Sequence, residues 1–280
     1  KGAPEALIQH SKLSDAEKVS IQQQIADFAA EGLRVLGVGI ADFNEGAFPE
    51  KQENFTFRFL GLVGFYDPPK HNIEKVFKQF YDAGIQVKII TGDNSLTTLA
   101  IAKQAHFKNT SPPVTGDELL QVSEKELATK INETSIFTRM FPEAKLKIIN
   151  SLKANNQIVG MTGDGVNDGP ALKAAHIGIA MGKRGSEIAK QASSLILVDD
   201  DFGKMVNAVA MGRKIYNNLK KAIQYIISIH IPIILTVAFP LILGWVYPAI
   251  FTPVHVIFLE IIMGPTCSIV YENEPLEKNA

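Results

Sequence analysis

The chain has 280 residues, 46% of them hydrophobic and 20% charged, with a formal net charge of −1. That length allows one large domain or two ordinary ones; the composition fits a globular protein with some membrane content, and the near-zero charge provides no global field that would favour nucleic acid. A single cysteine, Cys267, excludes a disulfide framework within one chain and suits a reducing compartment.

In chain order, apolar runs at residues 35–40, 59–65, 87–90, 158–161, 177–181 and 195–198 predict strands. Helical patterns lie between several of them. Ile73, Val76, Phe77 and Phe80 follow i, i+3, i+4, i+7 spacing, and so do Lys145, Ile148, Ile149 and Leu152. Buried strands alternating with helices predict a mostly parallel sheet, and ligands of such sheets bind beyond the carboxyl ends of the strands. No internal repeat or low-complexity segment interrupts the pattern.

The last quarter of the chain differs. From Ala222 to Leu259 there is no Asp, Glu, Lys or Arg. A membrane-spanning helix needs about 20 apolar residues, so the run is too long for one span and about right for two. Pro248 and Pro253, with Trp245 and Tyr247 beside them, mark a short interfacial turn between a helix over about 222–244 and a second over about 254–270. Arg213, Lys214, Lys220 and Lys221 precede the first span, which places that end in the cytoplasm. The hairpin then returns Glu272, Glu274 and Glu277 to the same side. The helix around 202–220 is expected to continue into the membrane as a stalk, because no Pro or Gly falls between Arg213 and Ile231. The competing reading is a hairpin buried in a large soluble core.

Two loops at strand ends carry chemistry. Val87-Lys88-Ile89-Ile90 runs into Thr91-Gly92-Asp93, and Ile158-Val159-Gly160-Met161 runs into Thr162-Gly163-Asp164-Gly165-Val166-Asn167-Asp168. Glycines let backbone approach a phosphate, while the Thr hydroxyl and nearby N–H groups can hydrogen-bond its oxygens. Asp164 and Asp168 are candidate ligands for Mg²⁺, a hard ion that takes oxygen ligands and keeps several waters. Asn167 can donate to phosphate oxygens. A plain turn would explain Thr91-Gly92-Asp93 alone; the longer run, with two carboxylates, an amide and two glycines, is specific. Lys145 lies on the apolar stripe of its helix, where a buried ammonium needs an anionic partner; snorkelling past Ile149 to water is the alternative.

Thr91-Gly92-Asp93, Lys145 and the run from Thr162 to Asp168 resemble the second, third and fourth motifs of haloacid-dehalogenase phosphotransferases. The longer string from Met161 through Gly169-Pro170-Ala171-Leu172-Lys173 resembles the P-type ATPases, in particular the subfamily of calcium pumps and their bacterial relatives. Lys1-Gly2-Ala3-Pro4-Glu5 is similar to that family's nucleotide-binding motif, and Asp67-Pro68-Pro69-Lys70 to its hinge into the phosphorylation domain. The resemblance covers essentially the whole chain, with the motifs in family order. It implies an α/β chain with three parts: the C-terminal part of an α+β nucleotide-binding domain over 1–66, a Rossmann-like parallel-sheet phosphorylation domain over 67–217, and stalk plus transmembrane hairpin over 218–280. It also implies ATP-driven transport of a cation through an aspartyl phosphate, with ATP and Mg²⁺ as cofactors and an integral-membrane location, the plasma membrane of a bacterial-type cell, with the catalytic part cytoplasmic. Lys1 and Gly2 would line the adenine pocket and Arg34 would bind nucleotide phosphates. Thr91, Gly92 and Asp93 would contact the γ-phosphate, Lys145 would neutralise the transferring phosphoryl, Asp164 would ligate Mg²⁺, and Asn167 and Asp168 would complete the cradle. An exposed strand charge is the alternative reading of Arg34.

Several family elements are missing. No Asp-Lys-Thr-Gly-Thr nucleophile motif and no Thr-Gly-Glu-Ser loop occurs, the chain opens on Lys1, and the first four membrane helices are absent. The expectation is therefore a fragment whose partner is the missing N-terminal part of the same pump, and which alone neither autophosphorylates nor pumps. Within the spans, Glu260 is the only acidic residue, a functional candidate because a mid-membrane carboxylate costs roughly 2.5–3.5 kcal/mol. By the resemblance, Glu260 and His230 fall at cation-ligand positions, whereas Ile233 and Gly264 stand where calcium pumps carry carboxylates. Calcium, another divalent cation, a monovalent cation and a proton all stay open. Two other function classes also stay open: a soluble Mg²⁺-dependent phosphatase sharing the Gly-Asp-Gly-x-Asn-Asp pattern, and a non-catalytic regulatory module.

Overall fold

A computed structural model describes residues 1–42, 51, 54–108, 111–246, 251–272 and 274–275. Tyr247, Pro248 and Glu277 of the expected turn and tail lie outside the described residues. The chain divides into two compact units, Lys1–Phe202 and Gly203–Ala280.

The first unit opens with helices α1 (Pro4–Gln9) and α2 (Asp15–Ala30). A capping box starts α2: Ser14 Oγ accepts from the Glu17 N–H at 3.3 Å and the Glu17 carboxylate accepts from the Ser14 N–H at 2.8 Å, satisfying two otherwise orphaned donors. Strand β1 (Arg34–Ile40) then pairs antiparallel with β2 (Arg58–Phe65), with an irregularity at Val38/Gly39. Gly2 exchanges backbone hydrogen bonds of 3.0 and 3.1 Å with Gly37, tying the first residues to β1.

Alternating helices and strands follow: α3 (Ile73–Asp82), β3 (Ile89–Ile90), α4 (Ser95–Gln104), β4 (Val114–Thr115), α5 (Gly116–Gln121), α6 (Glu124–Glu133), β5 (Ile136–Thr138), α7 (Pro142–Ala154) and β6 (Gly160–Gly163). After a short 3₁₀ turn at Val166–Asp168 come α8 (Gly169–Ala174), β7 (Ile177–Met181), α9 (Glu187–Ala192) and β8 (Leu195–Leu197). The strands form two parallel sheets, in the orders β3-β5-β4 and β6-β7-β8. The parallel α/β architecture expected from the sequence is present. One apolar cluster reaches under both sheets, with Phe137, Leu119 and Ile131 from one side and Met161, Leu172 and Ala180 from the other, bridged by Ile148 and Ile149 of α7. Each of the larger of these side chains, fully buried, contributes on the order of 1.5–3 kcal/mol.

Two of the expected strands are shortened or shifted by two residues, and β4 and β5 were not among the expected strands. The run at 87–90 shortens to Ile89–Ile90. The Lys88 ammonium turns instead onto the carbonyls of Ile131, Asn132 and Thr134 at 2.8, 3.1 and 2.7 Å, satisfying acceptors at the end of α6. Burial lowers the pKa of this ammonium. The run at 158–161 shifts to Gly160–Gly163, with Ile158 left 79% exposed.

At the end of the unit, Asp200 is buried in the left-handed region at φ 55°. Its carboxylate accepts from the backbone N–H groups of Lys183 and Arg184 at 3.0 and 3.1 Å, which hold its pKa below the usual carboxylate value. The Lys70 ammonium donates to the Asp200 carbonyl and lies 5.6 Å from the centre of the Phe202 ring. The Asp67–Lys70 segment is thus anchored beside the first residue of the next helix.

That helix, α10 (Phe202–Ile242), runs 41 residues, unbroken through Pro232 and Pro240. With α11 (Pro253–Glu272) it is long and apolar enough to cross a bilayer. Only 6% of the most apolar stretch of α10, and none of that of α11, is buried. This argues against the soluble-core reading, in which those faces would be packed. The two helices meet through Tyr225 and Tyr271, ring centres 5.6 Å apart, and through Lys221 and Glu274 at 2.8 Å.

Candidate functional site

Both motif loops sit at the carboxyl ends of parallel strands. Strand β6 delivers Gly163 into Asp164-Gly165, and the 3₁₀ turn then swings Asp168 back beneath them. Asp168 Oδ2 accepts from the N–H groups of Asp164 at 3.3 Å and Gly165 at 3.1 Å, while Oδ1 accepts from the Lys145 ammonium at 2.6 Å. The Lys145 and Asp168 side chains are only 12% and 10% exposed. The anionic partner required for Lys145 is therefore Asp168. An ammonium has three donors, and Asp168 takes one, so the others can turn to a bound anion. Gly163 is obligatory here: a Cβ at this position would lie 2.6 Å from Asp168 Cβ. Asp164 and Asn167 are exposed, and their side chains have no hydrogen-bonding partner among the described residues. The arrangement joins one locked carboxylate, one directed ammonium, one open carboxylate and one open amide.

The other loop follows β3. Asp93 folds onto Thr91, its N–H donating to Thr91 Oγ1 at 3.1 Å and the Thr91 hydroxyl donating back to Oδ2 at 3.3 Å. The carbonyls of Thr91 and Asp93 accept from the N–H groups of Met140 and Arg139, both at 2.9 Å, tying the loop to the chain leaving β5. Asn94 then caps α4 by accepting from the Thr97 N–H at 2.9 Å. Arg34 Nε lies 3.5 Å from Asp93 Oδ1, and Arg139 meets Glu5 at 2.9 Å. These groups line a pocket of about 260 Å³ that includes Glu5, Arg34, Gly92, Asp93, Thr97 and Arg139.

The structure thus gathers Arg34, Gly92 and Asp93 at one pocket, and Lys145, Asp164 and Asp168 at one loop. Among the described residues no hydrogen bond or ion pair links the two groups. Lys1 is exposed, and Gly2 is used in backbone pairing to β1. Arg139 was not foreseen. Its one signal in the sequence was its place directly after a strand, and β5 is only three residues long. In the second unit His230 Nε2 lies 2.9 Å from Glu260 Oε1 and Nδ1 lies 2.8 Å from the Ile226 carbonyl, so these two candidates meet across α10 and α11.

The profile described as "Hydrolase: haloacid dehalogenase-like hydrolase" matches residues 4–176. Calcium-transporting ATPase 1 of Bacillus cereus is 38% identical over 251 residues, 89% of this chain and 28% of that protein. Calcium-transporting ATPase type 2C member 1 of Bos taurus is 34% identical over 290 residues, 100% of this chain and 29% of that protein. Cation-transporting ATPase pma1 of Synechocystis sp. is 38% identical over 242 residues, 82% of this chain and 27% of that protein. The chain spans less than a third of the length of these curated relatives, and the likeness to P-type ATPases read from its motifs extends along most of its own length. By this match over more than half of its length, the chain belongs to the haloacid dehalogenase-like hydrolase family.

Proposed function

We propose that this chain is part of an ATP-driven cation pump that works through an aspartyl phosphate, and that it supplies the phosphoryl-binding loops and one membrane hairpin of the complete protein. The observation that carries the reading is the Lys145–Asp168 bracket at the end of β6, with the Asp164 carboxylate left open beside it. Phosphoryl transfer is mainly positioning and charge stabilisation. Asp168 fixes both the ammonium and the loop backbone, and Lys145 directs its remaining N–H donors at phosphoryl oxygens. The Asn167 amide donates to the same oxygens.

The donor set fits Mg²⁺, which is commonly held by one or two carboxylates plus phosphate oxygens and waters. Both oxygens of Asp168 are already engaged, so Asp164 is the residue that would hold the ion and Asp168 the one that positions the loop. The ion would supply charge neutralisation of the transferring group.

Thr91, Gly92 and Asp93 would approach the nucleotide's terminal phosphate, with Arg34 and Arg139 as its cationic contacts. The pocket of about 260 Å³ is smaller than the roughly 300–1,000 Å³ of typical small-molecule pockets, which suits the phosphate end of ATP better than the whole nucleotide. Lys1 and Gly2 remain candidates for the adenine end. Exposed apolar helices α10 and α11 favour a bilayer-anchored pump over a soluble phosphatase or a regulatory module. Arg213, Lys214, Lys220 and Lys221 favour a cytoplasmic catalytic side, with the plasma membrane as the expected location.

The chain alone lacks the Asp-Lys-Thr-Gly-Thr nucleophile. Incubated with radiolabelled ATP and Mg²⁺ and quenched in acid, it is expected to stay unlabelled, while the full-length protein gives a hydroxylamine-labile band. A labelled band from the chain alone would overturn the division of labour; no band from the full-length protein would overturn the pump.

A further inference from the structure

We propose that the ion held by the His230–Glu260 pair is a proton. This rests on the reading of the chain as part of a cation pump whose α10 and α11 cross a bilayer.

The Ile226 carbonyl can only accept, so His230 Nδ1, 2.8 Å away, carries a hydrogen and the ring orientation is fixed. Nε2 and the Glu260 carboxyl, 2.9 Å apart, are left to share one further hydrogen. The pair is then a neutral imidazole facing a carboxylic acid, or an imidazolium facing a carboxylate. Either form is uncharged overall. Without the shared proton the pair carries −1; with a divalent cation in its place it carries +1. An unbalanced charge inside hydrocarbon is costly, and Glu260 is the only Asp, Glu, Lys or Arg between Ala222 and Tyr271. A single positive charge leaves this hairpin neutral, which sets a divalent ion aside, and a proton supplies that charge with no ligand beyond the two facing atoms.

Ligand chemistry points the same way. Calcium takes six to eight oxygen ligands, whereas the pair presents one carboxylate and one ring nitrogen. Among the described residues no group of three or more His, Cys, Asp or Glu is placed to hold a metal. A proton needs only the two atoms that already face each other. Among the described residues, the other titratable side chains along these apolar helices are Tyr225, His255, Cys267 and Tyr271. Tyr225 and Tyr271 pack against each other with tilted rings, His255 bonds Thr252, and Cys267 is half-buried; none is hydrogen-bonded to the pair. In the transport step the pair takes a proton from water on one side and returns it to water on the other, with no other bond made or broken.

The test is reconstitution of the full-length protein in phosphatidylcholine vesicles with a pH-sensitive dye inside, the catalytic face outward. Mg²⁺ and ATP are added in a medium freed of calcium and transition metals. The expected result is ATP-driven acidification of the lumen, reduced at least tenfold in Glu260→Gln and in His230→Phe. Acidification that persists in both variants would overturn the proposal. So would luminal alkalinisation, or ATP-driven uptake of radioactive calcium or manganese with no acidification; either result in the unaltered protein decides the question even if the variants do not fold. Failure of the unaltered protein to form a phosphoenzyme from ATP would instead sink the pump reading beneath it.

Discussion

The two motif loops occupy equivalent places at the ends of parallel strands, yet their charges are held differently. After β6, Lys145 and Asp168 are almost wholly buried, at 12% and 10% exposure, and the carboxylate accepts from one ammonium and two backbone N–H groups. After β3, Arg34 and Asp93 are 69% and 35% exposed and 3.5 Å apart. Burying two charges carries a desolvation cost that only tight geometry and extra hydrogen bonds offset, whereas an exposed pair is worth about 0–1 kcal/mol. The first loop is a fixed bracket, while the second is held by a weaker, exposed pair.

The contrast can be broken by mutation. Lys145→Ala strands a buried carboxylate and is expected to cost about 3–5 kcal/mol, read as a lower urea midpoint for unfolding. A loss under 1 kcal/mol would show that Asp168 reaches water. Gly163→Ala drives a Cβ to within 2.6 Å of Asp168. Overpacking of this kind costs about 1–3 kcal/mol, and the same titration would contradict the geometry if the midpoint did not move. Arg34→Ala sits at the small end for stability, at most about 1 kcal/mol. Its effect should fall on ligand binding instead, as a several-fold weaker dissociation constant for ATP in equilibrium dialysis of the full-length protein. Unchanged ATP affinity would make Arg34 a plain strand charge.

The sequence revealed most where a local pattern is long. Strands β1, β2 and β7 stand close to or at their expected bounds because each is an apolar run of five or more residues. The buried lysine was legible because Lys145 shares a helical stripe with Ile148 and Ile149, both of which are buried. Strands β4 and β5, two and three residues long, escaped notice because a period of two cannot be read over so short a stretch. Arg139 was lost with β5, and its partner Glu5 lies 134 residues away in sequence. Asp164 and Asp168 were both read as magnesium ligands from type and spacing; only the fold reveals that Asp168 also accepts from Lys145 and from two backbone N–H groups. The meeting of His230 with Glu260 likewise depends on how two helices pair, which spacing within either one does not encode.

The most direct measurement is Mg²⁺-dependent labelling of the full-length protein by radiolabelled ATP, comparing the unaltered protein with Asp164→Asn. The account predicts roughly 100-fold less phosphoenzyme in the variant at low Mg²⁺, in line with the loss of one preorganised electrostatic element, with partial recovery as Mg²⁺ is raised. Equal labelling at every Mg²⁺ concentration would contradict it.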